Sequence, residues 1–311
     1  MPQPLVSVVI PAYNHERFVG HAIESVLGQT CQDFELVIVN DGSTDGTERV
    51  IQGYDDHRIR YYYQENQDAY NTINRGISLA EGEFIAILNS DDIYLANRLE
   101  KLLQYCNDED KVCAFSDVIP VDDQNNEFSD PDFGWNVWHR DNREFFFGCE
   151  DLYTAFLHGN FMVTTSNLFM TREAAQQVGP FSSLRYLHDY DFIFRMIARF
   201  ERRVGYLHDQ KLLYYRIHGG NTLGEAAITG REQDQQLIEK YMLAAVPEAY
   251  RGYVETGSQR LVTLEKELNQ VHQQLASARP DGVRPALKNL KDALSIWGKK
   301  HIGASTSKPR S

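Results

Sequence analysis

Apolar residues along this chain come first in short runs and only later in helical periods. Leu5-Val-Ser-Val-Val-Ile10 is closed by Pro11, and Phe34-Glu-Leu-Val-Ile-Val39 and Phe84-Ile-Ala-Ile-Leu88 repeat the pattern. Runs of this length bounded by turn residues read as buried strands. Arg60-Tyr-Tyr-Tyr63 is a weaker example. Helical spacing fills the gaps, at about Glu16–Gly28, Thr44–Gln52 and Asp68–Ala80, and a helix near Ala96–Cys106 leads into the strand Val112-Cys-Ala-Phe115. Strands alternating with helices of this length predict βαβ units and an α/β, Rossmann-like, mainly parallel sheet with right-handed crossovers.

The middle of the chain is less regular. Residues Asp122–Arg143, rich in Asp and Asn with Trp135 and Trp138, read as a long loop or lid. Helices are expected near Asp151–Leu157, Arg172–Val178 and Asp189–Phe200, and strands near Val163–Met170 and Lys211–Ile217. After about Arg231 the character changes to a helical extension. Leu261, Leu264, Leu268, Val271 and Leu275 are spaced 3, 4, 3, 4, the seam of a short coiled coil. Arg279-Pro-Asp-Gly282 breaks it, and Leu287, Leu290, Leu294 and Trp297 then share an amphipathic stretch with Lys288, Lys291, Lys299 and Lys300. The expected division is a catalytic unit over 1–230, its halves meeting near 118, then the extension over 231–303 and a disordered tail over 304–311.

Composition narrows the class. The 311 residues are 42% hydrophobic and 24% charged, as in ordinary soluble globular proteins. A formal net charge of −13 argues against a nucleic-acid partner. Residues 284–311 hold seven Lys or Arg and one Asp, so an acidic body carries a basic tail. Cys31, Cys106, Cys113 and Cys149 have neither CxxC nor zinc-like spacing, which fits buried thiols in a reducing compartment. With no signal-peptide pattern and no apolar run near the ~20 residues of a spanning helix, a cytoplasmic protein is expected.

In an open α/β sheet, ligands bind beyond the carboxyl ends of the strands. The first strand ends in Pro11-Ala-Tyr-Asn14: Asn14 can cap the next helix, and Tyr13 can lie against a base. GxGxxG is absent, which argues against the usual dinucleotide site. The second strand ends in Asn40-Asp-Gly-Ser-Thr-Asp45. A turn capped by Ser43 or Thr44 accounts for everything there except Asp41, whose carboxylate can accept from a uracil or thymine imide. The fourth ends in Leu88-Asn-Ser-Asp-Asp92, where adjacent acids after a buried strand are costly as packing but suit Mg²⁺ or Mn²⁺ bridging phosphate oxygens. Alternatively, Asp92 caps the next helix.

Together these segments resemble the family 2 inverting glycosyltransferases of the A-type fold. The resemblance rests on Val6-Ser-Val-Val-Ile-Pro-Ala-Tyr-Asn14, Val39-Asn-Asp-Gly-Ser-Thr-Asp45, and Asn74-Arg-Gly-Ile-Ser-Leu-Ala-Glu-Gly-Glu-Phe84 running into Leu88-Asn-Ser-Asp-Asp92. His188-Asp-Tyr-Asp-Phe-Ile-Phe-Arg195 and Tyr215-Arg-Ile-His218 complete the order over residues 4–222. It implies that Pro11, Tyr13 and Asp41 contact the nucleoside, that Asp91 and His218 hold Mn²⁺ or Mg²⁺, and that Asp189 is the catalytic base, with Asp191 a rival. Asn89 stands where the motif usually has its first acid, His188-Asp189 replaces the usual Glu-Asp, and Asn74-Arg75 matches one form of the donor-helix motif, so Arg75 and Asn89 are candidate donor contacts.

The resemblance further implies direct displacement at the anomeric carbon of a UDP- or dTDP-linked sugar. The acceptor would be a hydroxyl of a saccharide or lipid-linked saccharide in cell-surface polysaccharide assembly. A catalytically inactive sugar-nucleotide-binding scaffold subunit is the alternative. A nucleotidyltransferase is disfavoured because no Gly-rich phosphate loop with a following basic residue is present. The heptad seam predicts a homo-oligomer, and the basic amphipathic stretch predicts contact with an anionic membrane surface.

Overall fold

The computed structural model describes residues 3–149, 151–218, 227–243 and 248–277. Strands β1 (Val6–Ala12), β2 (Phe34–Asp41), β3 (Ile59–Gln64) and β4 (Phe84–Ile87) pair in parallel in the order β3-β2-β1-β4. Helices α1 (Val19–Leu27), α2 (Thr47–Gln52) and α3 (Ala69–Leu79) connect them. The chain moves outward from β1 to β3 and then returns to β4 on the other flank of β1, so a crevice opens between the carboxyl ends of β1 and β4.

Successive side chains alternate between two buried layers. Val8, Ile10, Leu36, Ile38, Ala86 and Leu88 face one way, with α1 and the helix α4 (Arg98–Asp108) over them. Val9, Val37, Val39, Ile85 and Ile87 face the other. There α3 lies so close to β1 that a Cβ at Gly76 would sit 2.2 Å from Val9 Cγ1.

The second half adds β5 (Ile93–Tyr94), β6 (Cys113–Val121), β7 (Phe169–Thr171) and β8 (Val204–Arg216), giving one sheet ordered β3-β2-β1-β4-β7-β6-β8-β5. Strand β7 runs antiparallel to both neighbours, β5 runs antiparallel to β8, and β6 and β8 are parallel. Helices α5 (Gly134–Cys149), α6 (Leu152–His158), α7 (Arg172–Val178) and α8 (His188–Phe200) precede α9 (Ala227–Leu237) and α10 (Glu248–Ser277).

Several local expectations change. Much of the predicted loop at 122–143 is helix α5. Its inner face carries Trp135, His139 and Asn142; His139 Nε2 lies 3.0 Å from Asp117 Oδ1 and Arg143 Nη1 2.6 Å from Asp117 Oδ2, fastening the helix to β6. The polar residues that read as loop are therefore the contacts that seat a helix. The strand predicted at Val163–Met170 is mostly a turn, with a 3-10 segment at Thr165–Asn167 before the short β7. Asn14 does not cap α1: it has a left-handed φ of 51°, and its Oδ1 accepts from Thr44 N at 2.8 Å. Ser43 Oγ accepts from Asn14 N, and it is Asp45 that receives Thr47 N.

All four cysteines are free thiols, with Cys106 and Cys113 buried and Cys31 and Cys149 half-buried. The first part of the predicted extension docks on the body, because Lys240 Nζ and Tyr241 Oη bind Asp191 Oδ1 at 2.7 and 2.6 Å. On α10, Ser258 and Val262 are buried while Leu261, Leu264 and Leu268 of the seam are exposed. Among the described residues no helix is long and apolar enough to cross a membrane. The basic amphipathic stretch and residues 304–311 lie outside the described residues.

Candidate active site

The segment after β4 carries Asn89 and Asp91, and His218 meets it there. Asn89 Nδ2 donates to Thr164 Oγ1 at 3.0 Å and its backbone N–H to Ser166 Oγ at 2.9 Å, so this side chain ties the strand end to the 164–167 turn. Asp92 does not cap α4. Its Oδ2 accepts from Ser166 Oγ at 2.5 Å and its Oδ1 from Arg216 N at 2.9 Å, joining the end of β4 to the end of β8. Burial, and then the charge of Asp91, push its carboxyl up to about 7.

Asp91 faces His218 instead, with Oδ2 3.0 Å from Nε2. Burial alone would raise this carboxyl, but the hydrogen bond from His218 and the electrostatic pull of His15 and His218 hold it below the usual carboxylate range. Arg216, fully buried, positions His218 two residues later: Nε donates to Asp91 O at 2.8 Å, Nη1 to Asp122 O at 2.6 Å and Nη2 to Asn125 Oδ1 at 2.5 Å. Its guanidinium lies 4.7 Å over the ring of Phe18, which packs in turn against His218 with centroids 5.1 Å apart.

Across the crevice, Asp41 ends β2 and is 2% exposed. Gln64 Nε2 and Gln67 N both donate to its Oδ1, at 2.5 and 3.0 Å, which leaves Oδ2 for a further donor. Gly42 turns the chain with φ 72°, and a Cβ there would meet Asn66 N at 2.9 Å. Arg75 Nη1 binds Tyr63 O and Gln64 Oε1, both at 2.9 Å, so it reaches Asp41 through Gln64. Pro11 pairs with Val39 of β2, and Tyr13 is exposed.

The two acids of α8 have different surroundings. Asp191 is enclosed by Ser182 Oγ, Arg195 Nε, Lys240 Nζ and Tyr241 Oη. Burial would raise its carboxyl, but the hydrogen bonds from Lys240, Ser182 and Tyr241 and the charge of Arg195 win and hold it at about 2. Asp189 accepts a hydrogen bond from Tyr190 N at 2.7 Å, and its pKa is raised, mainly by burial, against the lowering influence of His188, Tyr190 N and Asn160. His188 Nε2 lies 3.2 Å from Thr165 Oγ1, so α8 begins against the turn that also holds Asn89 and Asp92.

The glycosyl transferase family 2 model matches residues 7–179. An uncharacterised glycosyltransferase of Rickettsia typhi is 32% identical over 230 residues, covering 72% of this chain and 67% of that one. The chain belongs to glycosyl transferase family 2. Among solved structures, S. aureus TarS in complex with UDP-GlcNAc superposes with a TM-score of 0.59 at 17% identity, over 82% of this chain and 71% of that one. The mannosyltransferase PcManGT of Pyrobaculum calidifontis, with GDP-Man and Mn²⁺, gives 0.54 at 15% identity over 94% and 80%. These likenesses establish the A-type glycosyltransferase fold.

In this glycosyltransferase a surface cavity of about 550 Å³ is remote from the strand-end chemistry. Leu5, Asp33, Glu83 and Val112 line it, the residues that precede β1, β2, β4 and β6, so it lies at the opposite edge of the sheet. Sequence reasoning missed Phe18, Arg216, Arg98 and the turn residues Thr164 and Ser166. Arg98 is fully buried, with Nη2 on Asn167 O at 3.0 Å and Nη1 on Ser116 Oγ at 3.0 Å, and it anchors the turn from below. Arg98 opens α4 on the face of Leu102 and Cys106, four and eight residues on, and that spacing is the one sequence signal that it points inward.

Proposed function

We propose that this glycosyltransferase moves a sugar from a UDP- or dTDP-linked donor to an acceptor hydroxyl with inversion, in the assembly of a surface polysaccharide or related glycan. The observation that carries this reading is the convergence of Asp91 and His218, 127 residues apart, at the crevice between the strand ends. A carboxylate and an imidazole in contact suit Mn²⁺ and, less selectively, Mg²⁺. When bound, such an ion neutralises charge on a leaving diphosphate.

The nucleoside is assigned to Pro11, Tyr13 and Asp41. Both protein donors to Asp41 fall on Oδ1, so Oδ2 matches the single imide N–H of uracil or thymine better than the paired donors of guanine. Arg75 serves by holding Gln64, and Asn89 by holding the 164–167 turn. Asp189 takes the acceptor proton: burial has raised its pKa, as a base working near neutrality requires, whereas Asp191 is saturated by four donors. Retention of all these groups supports catalysis over an inactive scaffold.

Exposure of Leu261, Leu264 and Leu268 supports pairing with a second copy. The proposed contact with an anionic membrane rests on the basic residues of 284–311. Thermal stabilisation across a panel of nucleotide sugars with Mn²⁺ tests the donor assignment. UDP or dTDP sugars should stabilise wild type and fail with Asp91→Ala. Stabilisation by GDP sugars alone would overturn the base assignment.

A further inference from the structure

We infer that His15 is a third protein ligand of the divalent cation, so that the site is built from two imidazoles and one carboxylate and favours Mn²⁺ over Mg²⁺. The inference rests on the reading of Asp91 and His218 as metal ligands. Asp91 and His218 supply two protein ligands, and Asn89, whose amide is committed to Thr164, does not supply a third.

The ligand atoms of His15, Asp91 and His218 lie within 4.8 Å of one another. Two ligands of one cation at about 2.1 Å stand at most about 4.2 Å apart, so small side-chain adjustments close the set. The three residues follow β1, β4 and β8. His15 and Asp91 thus flank the crevice at the reversal of strand order, where a diphosphate would enter.

The orientation of His15 is fixed from several sides. Its backbone N–H donates to Thr47 Oγ1 at 2.8 Å, and its Nδ1 lies 2.8 Å from Ser90 Oγ. Its ring meets Phe18 edge-on at 6.0 Å and His218 at 5.8 Å. Ligating imidazoles usually spend their second nitrogen on an outer hydrogen-bond partner that sets the tautomer. Ser90, buried and adjacent to Asp91, can fill that position, which leaves Nε2 for the metal. Simple packing accounts for contact with Phe18, but it does not require a polar brace on Nδ1 or the approach to Asp91. Mg²⁺ prefers oxygen ligands and retains its waters, so two imidazole donors disfavour it relative to a first-row transition ion such as Mn²⁺.

The test is electron spin-echo modulation of Mn²⁺ bound to the full chain with UDP, counting coupled ¹⁴N nuclei. Wild type should show two nitrogens, and His15→Ala and His218→Ala one each. Mn²⁺ affinity should fall at least ~10-fold in His15→Ala. One nitrogen in wild type, a count that needs no variant to fold, overturns the assignment while leaving the Asp91/His218 site standing. An unchanged count in His15→Ala with weaker UDP binding makes His15 a diphosphate contact and also overturns it. No Mn²⁺ uptake by wild type, with or without UDP, overturns the metal site itself.

Discussion

Arg216→Met removes the side chain that couples the end of β8 to the end of β4 while keeping much of its volume. Three charged hydrogen bonds vanish, to Asp91 O, Asp122 O and Asn125 Oδ1, together with the cation over Phe18. Bonds from a charged donor are worth about 1.5–3 kcal/mol each. They are not additive here. Asn125 is exposed and Asp122 half-buried, so water replaces those donors, and burial already disfavours the cation, as its lowered pKa shows. The expected net loss is therefore about 2–4 kcal/mol, or roughly 5–15 °C in the thermal midpoint at about 2–4 °C per kcal/mol. His218 sits two residues on, so Mn²⁺ affinity should fall about 10-fold or more even in the folded variant. Differential scanning fluorimetry and Mn²⁺ titration below the transition read both effects. A midpoint within 1 °C of wild type, as an order-of-magnitude threshold, with unchanged Mn²⁺ affinity would refute the positioning role of Arg216.

Asp189→Asn should bind UDP-sugar normally and lose about 10²- to 10⁴-fold in turnover, read by UDP release; a fully active variant would shift the base elsewhere. Gly76→Ala should cost about 1–3 kcal/mol in urea unfolding, because its Cβ meets Val9 Cγ1 at 2.2 Å; no loss would mean α3 moves freely on β1. Asp191→Asn should be less stable than wild type by roughly 2 kcal/mol at neutral pH, since a carboxyl held at about 2 contributes stability above its unfolded pKa near 4. That advantage is lost as pH falls from about 4 through about 2, so the two unfolding curves should converge there; a gap independent of pH would assign the effect to packing.

The parallel half of the fold was legible because strands buried on both faces read as uninterrupted apolar runs, as Val8–Ile10 and Leu36–Val39 do. Helix α5 was not, because its seating uses His139 and Arg143 on buried Asp117, and polar anchors carry no apolar period. The candidate residues Asp41, Asp91 and His218 lie at or just after the ends of β2, β4 and β8, positions that the order of the strands makes legible. The supports that orient them are set by tertiary contact: Arg216 reaches back 125 residues to Asp91 O, and Ser166 reaches 74 to Asp92. The turn after β1 shows the same limit, since Asn14 is spent on Thr44 and the residue that comes close to Asp91 and His218 is its neighbour His15.

NMR of the products formed from an α-linked UDP-sugar and a soluble saccharide acceptor, with and without Mn²⁺, tests metal-dependent inverting transfer most directly. UDP release should be stoichiometric with a new β-glycosidic anomeric signal, and both should be abolished by EDTA and by Asp91→Ala. An α-linked product, release of UMP, or full turnover in EDTA would contradict that mechanism.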